Sequence, residues 1–325
     1  MKKILLLMLC LLLACPVVMA EKEIYTIPYT NTKYYIREDG TAFITSYDPR
    51  GDVDVIIPST ITTENGEELT VTGIASLYFN GAESISIPYS LNTIKSGNTY
   101  DTTCEIYVAP DHPVFATIDG VLFEKPTRTL VCYPRGFTAE EYTVPDGIKA
   151  IGAYAFCDSP CLTTVNLPES LESISFASFS GCYSLTNISL PDSLTSIDNS
   201  AFSYCYSLSD IILPTSLTSI GSYAFWATNI ERIFVPSSVT QIQEEAFQSS
   251  SETYGYFNIS HTSPAITLVV ERDSYAAQYA LENNYRYEYV DGGEADLSWL
   301  TGDTTEEPAE AEEVIEDTSW LEDEE

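Results

Sequence analysis

The residue types that most often carry acid–base or nucleophilic chemistry are sparse in this sequence. The only histidines are His112 and His261, and neither lies in the H-E-x-x-H arrangement that binds catalytic zinc. The G-x-S-x-G turn of hydrolases and the G-x-x-x-x-G-K-[ST] phosphate loop are also absent. Acidic pairs such as Glu140-Glu141 resemble a glycosidase dyad only in composition, since adjacent acids on repeat proteins are usually solvated. The sequence therefore predicts that the protein is not an enzyme and holds no cofactor.

The cysteines indicate structural thiols rather than a metal site. Six of them follow Ala20 in the chain: Cys104, Cys132, Cys157, Cys161, Cys182 and Cys205. Cys182 and Cys205 occupy one position of a repeated pattern, which favours small buried side chains with free thiols. Cys157 and Cys161 are separated by only three residues, and this pair is the better disulfide candidate. No second ligand pair stands at zinc-site spacing, so no metal is expected.

A repeated unit runs through the second half of the chain and predicts its architecture. Its landmarks are evenly spaced prolines, with the last interval one residue shorter: Pro145, Pro168, Pro191, Pro214 and Pro236. Before Pro191, Ile188 and Leu190 alternate with Asn187 and Ser189, which predicts a short strand that proline then ends. The repeat predicts equivalent strands before Pro168, Pro214 and Pro236. One unit cannot bury its apolar residues alone, so the units must stack. The positions predicted to be buried in one unit, with their counterparts in the next, are Ile188, Leu190, Leu194, Ile197 and Phe202.

Specific phrases in these units resemble a known family. The stretch A-F-x-x-C-x-x-L-x-x-I-x-L-P-x-S-L-x-x-I, beginning at Ala201, resembles the BspA-type leucine-rich repeat of bacterial secreted and surface proteins. Residues 35–45 resemble that family's opening strand pair, residues 112–134 its hairpin insert, and residues 274–283 its terminal helix. The resemblance covers about residues 25–290. It implies a leucine-rich repeat solenoid of stacked coils with short parallel strands, a β-hairpin insert and a C-terminal capping helix.

The terminal helix has its own sequence signals. Ser274 is a suitable N-cap, and four apolar residues fall on one predicted face: Ala276, Ala277, Ala280 and Leu281. We expect this face to cover the last coil of the stack.

The N-terminus predicts export. Lys2-Lys3 precede an apolar run over residues 4–14, and Val18-Met19-Ala20 resemble a cleavage site. The run is too short for a stable membrane anchor, and no later segment could cross a membrane. Cleavage after Ala20 gives a secreted or cell-surface protein. Lipoprotein processing at Cys15 is the less favoured alternative, because Leu13 is bulky for that site.

Charge restricts the partners. The net charge of −34 excludes a surface that attracts nucleic acid, because phosphates are repelled. Residues 294–325 contain 14 acids and no Lys or Arg, a composition that predicts a disordered tail. Within it, a D-x-S-W-L phrase occurs twice and suggests either short docking motifs or chance drift: Trp299, Leu300, Trp320 and Leu321. The predicted domains are a signal peptide (1–20), a solenoid with its cap (21–293) and the acidic tail (294–325).

The strand face of the solenoid is the candidate binding surface. The residue two before each proline should point outward, because its neighbours point to the core. This position becomes apolar towards the C-terminal end, where Ile212, Phe234 and Val269 occupy it. Asp210 and Arg232 stand two residues before Ile212 and Phe234, at the preceding outward position, and form a polar rim. An exposed apolar group with charged neighbours is typical of an interaction site, unless residues 248–265 fold over it.

Two classes of function fit these features. The first is a secreted or surface protein that binds a protein or other extracellular macromolecule, by adhesion or capture. The second is a structural spacer in an extracellular assembly, attached through its acidic tail. Apolar side chains exposed on the strand face would favour the first class, and a uniformly polar face would favour the second.

Overall fold

A computed structural model describes residues 23–27, 31–49, 53–77, 79, 81–95, 104–249 and 264–291. The predicted signal peptide, His261 and the four tail residues Trp299, Leu300, Trp320 and Leu321 lie outside these described residues. Their predicted roles therefore stay predictions.

The N-terminal part begins with an antiparallel pair and continues into stacked parallel strands. Its strands are β1 (Tyr25–Thr26), β2 (Lys33–Ile36), β3 (Ala42–Ser46), β4 (Asp54–Ile56), β5 (Thr60–Thr62), β6 (Glu68–Ile74), β7 (Ser84–Ile87), β8 (Thr93–Ile94) and β9 (Glu105–Val108). One sheet has the order β1-β2-β3-β6-β5, with β8 paired to β6, and a second has the order β4-β7-β9. The predicted opening strand pair is confirmed as β2 and β3, which are antiparallel.

The predicted hairpin insert is also confirmed. It consists of β10 (Phe115–Ile118) and β11 (Val121–Glu124), followed by β12 (Thr129–Cys132). Strands β10 and β11 are antiparallel, with Ile118 opposite Val121. The two residues between them, Asp119 and Gly120, have φ of 50° and 78°. Two consecutive positive φ values are what a tight hairpin turn requires.

The repeats form two strands per coil, except around Pro214, where only the second strand is present. They are β13 (Glu141–Thr143), β14 (Ala150–Ile151), β15 (Thr164–Asn166), β16 (Ser173–Ile174), β17 (Asn187–Ser189), β18 (Ser196–Ile197), β19 (Ser219–Ile220), β20 (Arg232–Val235) and β21 (Gln241–Ile242). The strands before Pro145, Pro168 and Pro191 form the sheet β13-β15-β17. The strands after the prolines extend the hairpin insert into an eight-stranded sheet, β10-β11-β12-β14-β16-β18-β19-β21. The insert is therefore part of the stack.

The prediction of a strand before Pro214 is wrong. Residues 209–213 belong to no strand and separate the sheet β13-β15-β17 from the sheet that contains β20. The next coil is one residue shorter, as the spacing from Pro214 to Pro236 shows. The interval from Pro191 to Pro214 keeps the regular length, so the shorter coil bears on the missing pairing with β20 and not on the missing pairing with β17. Ile211 and Leu213 are nevertheless buried, so the inward and outward alternation continues through the gap.

The core of the repeats is a set of columns in which one residue type recurs. All the positions predicted to be buried are buried, as are their counterparts in the next unit. Phenylalanine rings form the central column, with adjacent centroids 4.9–5.6 Å apart and planes within 7° of parallel: Phe156, Phe179, Phe202, Phe225 and Phe247. Serine hydroxyls join successive coils, since Ser193 donates to the carbonyl of Leu171 and Ser216 to that of Leu194, each at 2.6 Å.

The C-terminal end closes this core. It consists of β22 (Thr267–Val270), α1 (Tyr275–Glu282) and β23 (Arg286–Tyr289), and β20-β22-β23 form a parallel sheet. Ser274 caps the helix as predicted, accepting a hydrogen bond from the Ala277 amide at 3.1 Å. The predicted apolar face is wrong at Leu281, which is only half-buried, whereas Tyr279 is buried. Tyr279 donates to the Gln243 carbonyl at 3.0 Å and covers the last ring of the phenylalanine column.

Candidate binding face

Alternation along the strands places one row of side chains on the outside of the repeats. Thr143, Asn166 and Ser189 are exposed in the middle coils. The row then becomes apolar: Ile212 is 77% exposed and Phe234 is 36% exposed, and Val269 is half-buried. Ile212 and Phe234 are not members of the repeat core. The predicted change from polar to apolar along the face is therefore present in the structure.

The C-terminal sheet fixes how this apolar row is arranged. Phe234 on β20 is in register with Val269 on β22, and Val269 is in register with Glu288 on β23. Side chains in register on adjacent strands are close enough to form one surface. Ile212 lies on the preceding coil, in the part that is not in a strand. Strand pairing therefore joins Phe234 to Val269, whereas Ile212 is not part of this pairing.

The two charged residues of the rim differ in their environment. Asp210 and Arg232 are both exposed, as predicted. The guanidinium of Arg232 forms an ion pair with the carboxylate of Glu288, two strands away. The Arg232 side chain must therefore extend across the outer face of β22, past Val269. We define the C-terminal patch as Ile212, Phe234, Val269, Asp210 and Arg232.

The possible cover over this patch lies largely outside the described residues. Of residues 248–265, the structure describes only 248, 249, 264 and 265.

Sequence reasoning missed a second exposed group on the N-terminal sheet. Ile56 is 69% exposed on β4 and Tyr107 is 54% exposed on β9. A signal was present for Ile56, which stands two residues before Pro58, but not for Tyr107, which stands three residues before Pro110. Extended from the regular units to the N-terminal coils, the proline rule would have indicated Ile56, but it would have placed Tyr107 on the core side.

His112 is a structural residue. It is buried, its Nδ1 accepts hydrogen bonds from the amides of Val114 and Phe115 at 3.2 and 3.0 Å, and its Nε2 lies 3.1 Å from the Pro88 carbonyl. These bonds require the neutral ring with its proton on Nε2. His112 therefore holds the turn before the hairpin insert.

The cysteines agree with the prediction at the repeat positions and differ from it elsewhere. Cys182 and Cys205 are buried free thiols whose Sγ atoms donate to the carbonyls of Phe156 and Phe179, at 3.0 and 3.1 Å. Burial raises the pKa of both thiols. Cys157 and Cys161 are half-buried thiols that are not disulfide-bonded, so the better disulfide candidate does not form a bridge. Between them, Asp158 has a positive φ and Ser159 is buried. The chain therefore turns tightly between the two cysteines.

Features of metal sites, membrane spans and paired catalytic acids are sparse in the described part of the chain. No group of three or more His, Cys, Asp or Glu side chains there is arranged to hold a metal ion. Among the same residues, no helix combines the length and apolar character needed to span a bilayer. Glu140-Glu141 and Glu244-Glu245 lie at the surface or partly exposed. A shallow groove of about 290 Å³ lies over the strands that follow the prolines and is lined mainly by serine, glutamine and isoleucine.

Comparison with protein families explains the repeats. Residues 132–253 match the BspA type leucine rich repeat region in six copies. Over these residues, the repeats are similar to the BspA-type leucine-rich repeat. The match confirms the resemblance inferred from the sequence phrases, and the fold described above confirms the predicted leucine-rich repeat solenoid. No curated protein matches the chain.

Several solved structures resemble the fold. The pneumococcal vaccine antigen PcpA is 16% identical, with 82% of this chain and 98% of that chain covered and a TM-score of 0.46. A leucine rich cell surface protein from Faecalibacterium prausnitzii is 19% identical, with coverages of 71% and 93% and a TM-score of 0.40. A leucine-rich repeat protein from Bacteroides ovatus is 22% identical, with coverages of 79% and 66% and a TM-score of 0.42.

Proposed function

We propose that this protein is an exported binding protein that captures a protein or other extracellular macromolecule through the C-terminal patch. The observation that supports the proposal most directly is the exposure of Ile212, at 77% of its surface, beside a row that contains Phe234 and Val269. Leaving a large apolar side chain in water forgoes roughly 1.5–3 kcal/mol of burial energy. Several such side chains on one regular face are typical of an interaction site.

The repeat architecture supports the same function. Stacked BspA-type repeats present a long, regular face on which side chains can change without disturbing the core, and repeat solenoids use such faces for binding. Asp210 and Arg232 supply both signs of charge at the edge of the apolar row. Charged rims orient a partner and exclude wrong ones more than they add affinity.

Export and the three-part organisation belong to this proposal. Residues 1–20 direct secretion, residues 21–293 form the binding solenoid, and residues 294–325 are an acidic extension. The spacer function, with attachment through this extension, is the competing class. The polar middle of the strand face is compatible with a spacer, whereas the C-terminal patch is what favours binding.

Site-specific photocrosslinking tests the proposal. A benzophenone amino acid is placed at position 212 of the full mature protein, and a matched protein has it at position 118, where Ile118 is 44% exposed on the hairpin insert. Both are exposed to host extracellular proteins and to the producer's envelope fraction. We expect one partner to crosslink from position 212 and not from position 118. Capture that depends only on residues 294–325, with no crosslink from position 212, would support the spacer function instead.

A further inference from the structure

The outer face of the N-terminal sheet forms a grid of six side chains. Strands β4, β7 and β9 are parallel and in register, so Asp54, Ser84 and Glu105 form one row. Ile56, Ser86 and Tyr107 form the next row on the same face. The intervening residues Val55, Ile85 and Ile106 are buried beneath the grid. The backbone of three paired strands therefore holds all six positions.

The grid contains a trough. Neighbouring strands lie about 4.8 Å apart, so the outer two strands are roughly 10 Å apart. The middle strand presents only serine between them. In the second row, Ser86 is flanked by Ile56 and Tyr107, which are 69% and 54% exposed. The trough is therefore about one extended side chain wide, with an aliphatic wall and an aromatic wall.

One end of the trough is negatively charged. The Ser84 hydroxyl donates to Asp54 Oδ1 at 2.6 Å, and the Tyr107 hydroxyl donates to the Glu105 carboxylate. Both partners are neutral. Neither carboxylate forms an ion pair within the part of the chain that the structure describes. The pKa of Tyr107 is raised, first by its hydrogen bond to Glu105 and then by the charge of that carboxylate, with a smaller effect from Asp54. The charges of Asp54 and Glu105 therefore both reach the Tyr107 hydroxyl.

We propose that this trough binds an arginine side chain presented by a basic segment of a partner protein. The aliphatic stem lies over Ser86 between Ile56 and Tyr107, and the guanidinium lies over Ser84 between the two carboxylates. A guanidinium donates hydrogen bonds in several directions of one plane and is only weakly hydrated, so it can bind two acids and pack on a tyrosine ring together. The surplus of acidic residues over the whole chain attracts such a segment to the surface. This site is independent of the C-terminal patch.

The test uses a fluorescein-labelled peptide that contains three arginines separated by serines. The control peptide has citrulline, which keeps the shape and loses the charge. We expect the arginine peptide to bind the mature protein and the citrulline peptide not to bind. The double variant Asp54→Asn with Glu105→Gln keeps both hydrogen-bond acceptors and should weaken binding about tenfold, because each exposed ion pair contributes up to roughly fivefold.

A matched variant separates a site from general charge attraction. Glu169→Gln with Asp192→Asn removes two exposed acids from the repeat turns and should change affinity less than twofold. Equal losses in the two double variants would overturn the proposal, because net charge alone would then explain binding.

A third variant tests the trough without changing charge. Ser86→Leu fills the space between Ile56 and Tyr107 and should abolish peptide binding while the melting temperature stays within a few degrees. Binding that survives Ser86→Leu would contradict the proposed position of the arginine stem.

Discussion

Phe179 and Phe202, at the same position of successive units, stack with ring centroids 5.2 Å apart and planes 2° from parallel. Both rings are fully buried. The same ring contact recurs on either side of this pair. One repeat of the sequence therefore corresponds to one coil of the structure, and each coil adds one ring to the column. Each of these two rings packs between two other rings of the column. A smaller side chain at either position would therefore leave a cavity that the neighbouring rings could not fill.

Replacement of one ring should therefore weaken the whole stack. We expect Phe202→Ala to lower the free energy of unfolding by about 3–5 kcal/mol, as is usual when a buried aromatic side chain is truncated. Urea denaturation followed by circular dichroism measures the change. Phe176→Ala is the matched control, because Phe176 is 38% exposed, and should cost about 1 kcal/mol or less. Similar losses for both variants would show that the column is not special.

The turns of the repeats impose a second constraint. Gly181 has a φ of 74°, and a Cβ there would lie 2.1 Å from Asp158 Oδ1. We expect Gly181→Ala to destabilise the protein by about 1–2 kcal/mol from the backbone conformation alone, with the displaced carboxylate adding to the loss. Ser200 also has a positive φ, of 57°, and Ser200→Gly should not destabilise. Thermal unfolding of the two variants compares them, and the reverse order would refute this account of the turns.

Buried thiols predict a loss of stability in alkali. Burial raises the pKa of Cys182 and Cys205 in the folded protein, whereas an unfolded thiol has a pKa of about 8.5. The unfolded chain therefore releases protons that the folded chain keeps, and stability falls as pH rises above about 8.5. Burial also raises the pKa of Tyr133 to about 12, which steepens the loss above pH 10. Below pH 8 these groups contribute no pH dependence.

The measurement is urea denaturation between pH 7 and 10.5. Each buried thiol contributes a slope of up to roughly 1.4 kcal/mol per pH unit, so the variant Cys182→Ala with Cys205→Ala should show a shallower slope than the native protein. An unchanged slope in this variant would show that the two thiols are not responsible. In native protein at pH 8, a thiol reagent should modify the half-buried Cys157 and Cys161 first.

The acidic extension should be separable from the solenoid. We expect deletion of residues 294–325 to leave the melting temperature within about 2 °C of the full mature chain, since its composition buries too little apolar area to contribute to a core. Differential scanning calorimetry of the two proteins makes the comparison. A fall of several degrees would mean that this segment packs on the repeats.

The repeat made much of the fold predictable. Ile188 and Leu190 gave the inward positions because a strand alternates with period two, and Ser274 gave the helix start because it stands directly before the apolar face. The strand Ser196–Ile197 could not be predicted in the same way, since two residues show no periodicity. Tyr279 was missed because its ring is apolar enough to cover Phe247 while its hydroxyl needs an acceptor, a contact known only once the coils are stacked.

The candidate surface was predictable in part. The proline rule placed Ile212 and Phe234 outside the core, and both are exposed. The same rule did not indicate that the ladder breaks at residues 209–213, because the inward and outward alternation continues there without strand pairing. Nor did it indicate the ion pair between Arg232 and Glu288, which joins two strands that are far apart in the sequence.

The most direct test of the binding function is the double variant Ile212→Ser with Phe234→Ser, compared with Ile36→Ser with Ile118→Ser, which removes two exposed apolar side chains elsewhere. Affinity for the crosslinked partner is measured by biolayer interferometry and stability by urea denaturation. We predict that the first variant loses at least tenfold in affinity with a stability change of about 1 kcal/mol or less, and that the control keeps its affinity. Unchanged affinity in the first variant, or a stability loss of about 3 kcal/mol or more typical of a core residue, would contradict the proposed binding patch.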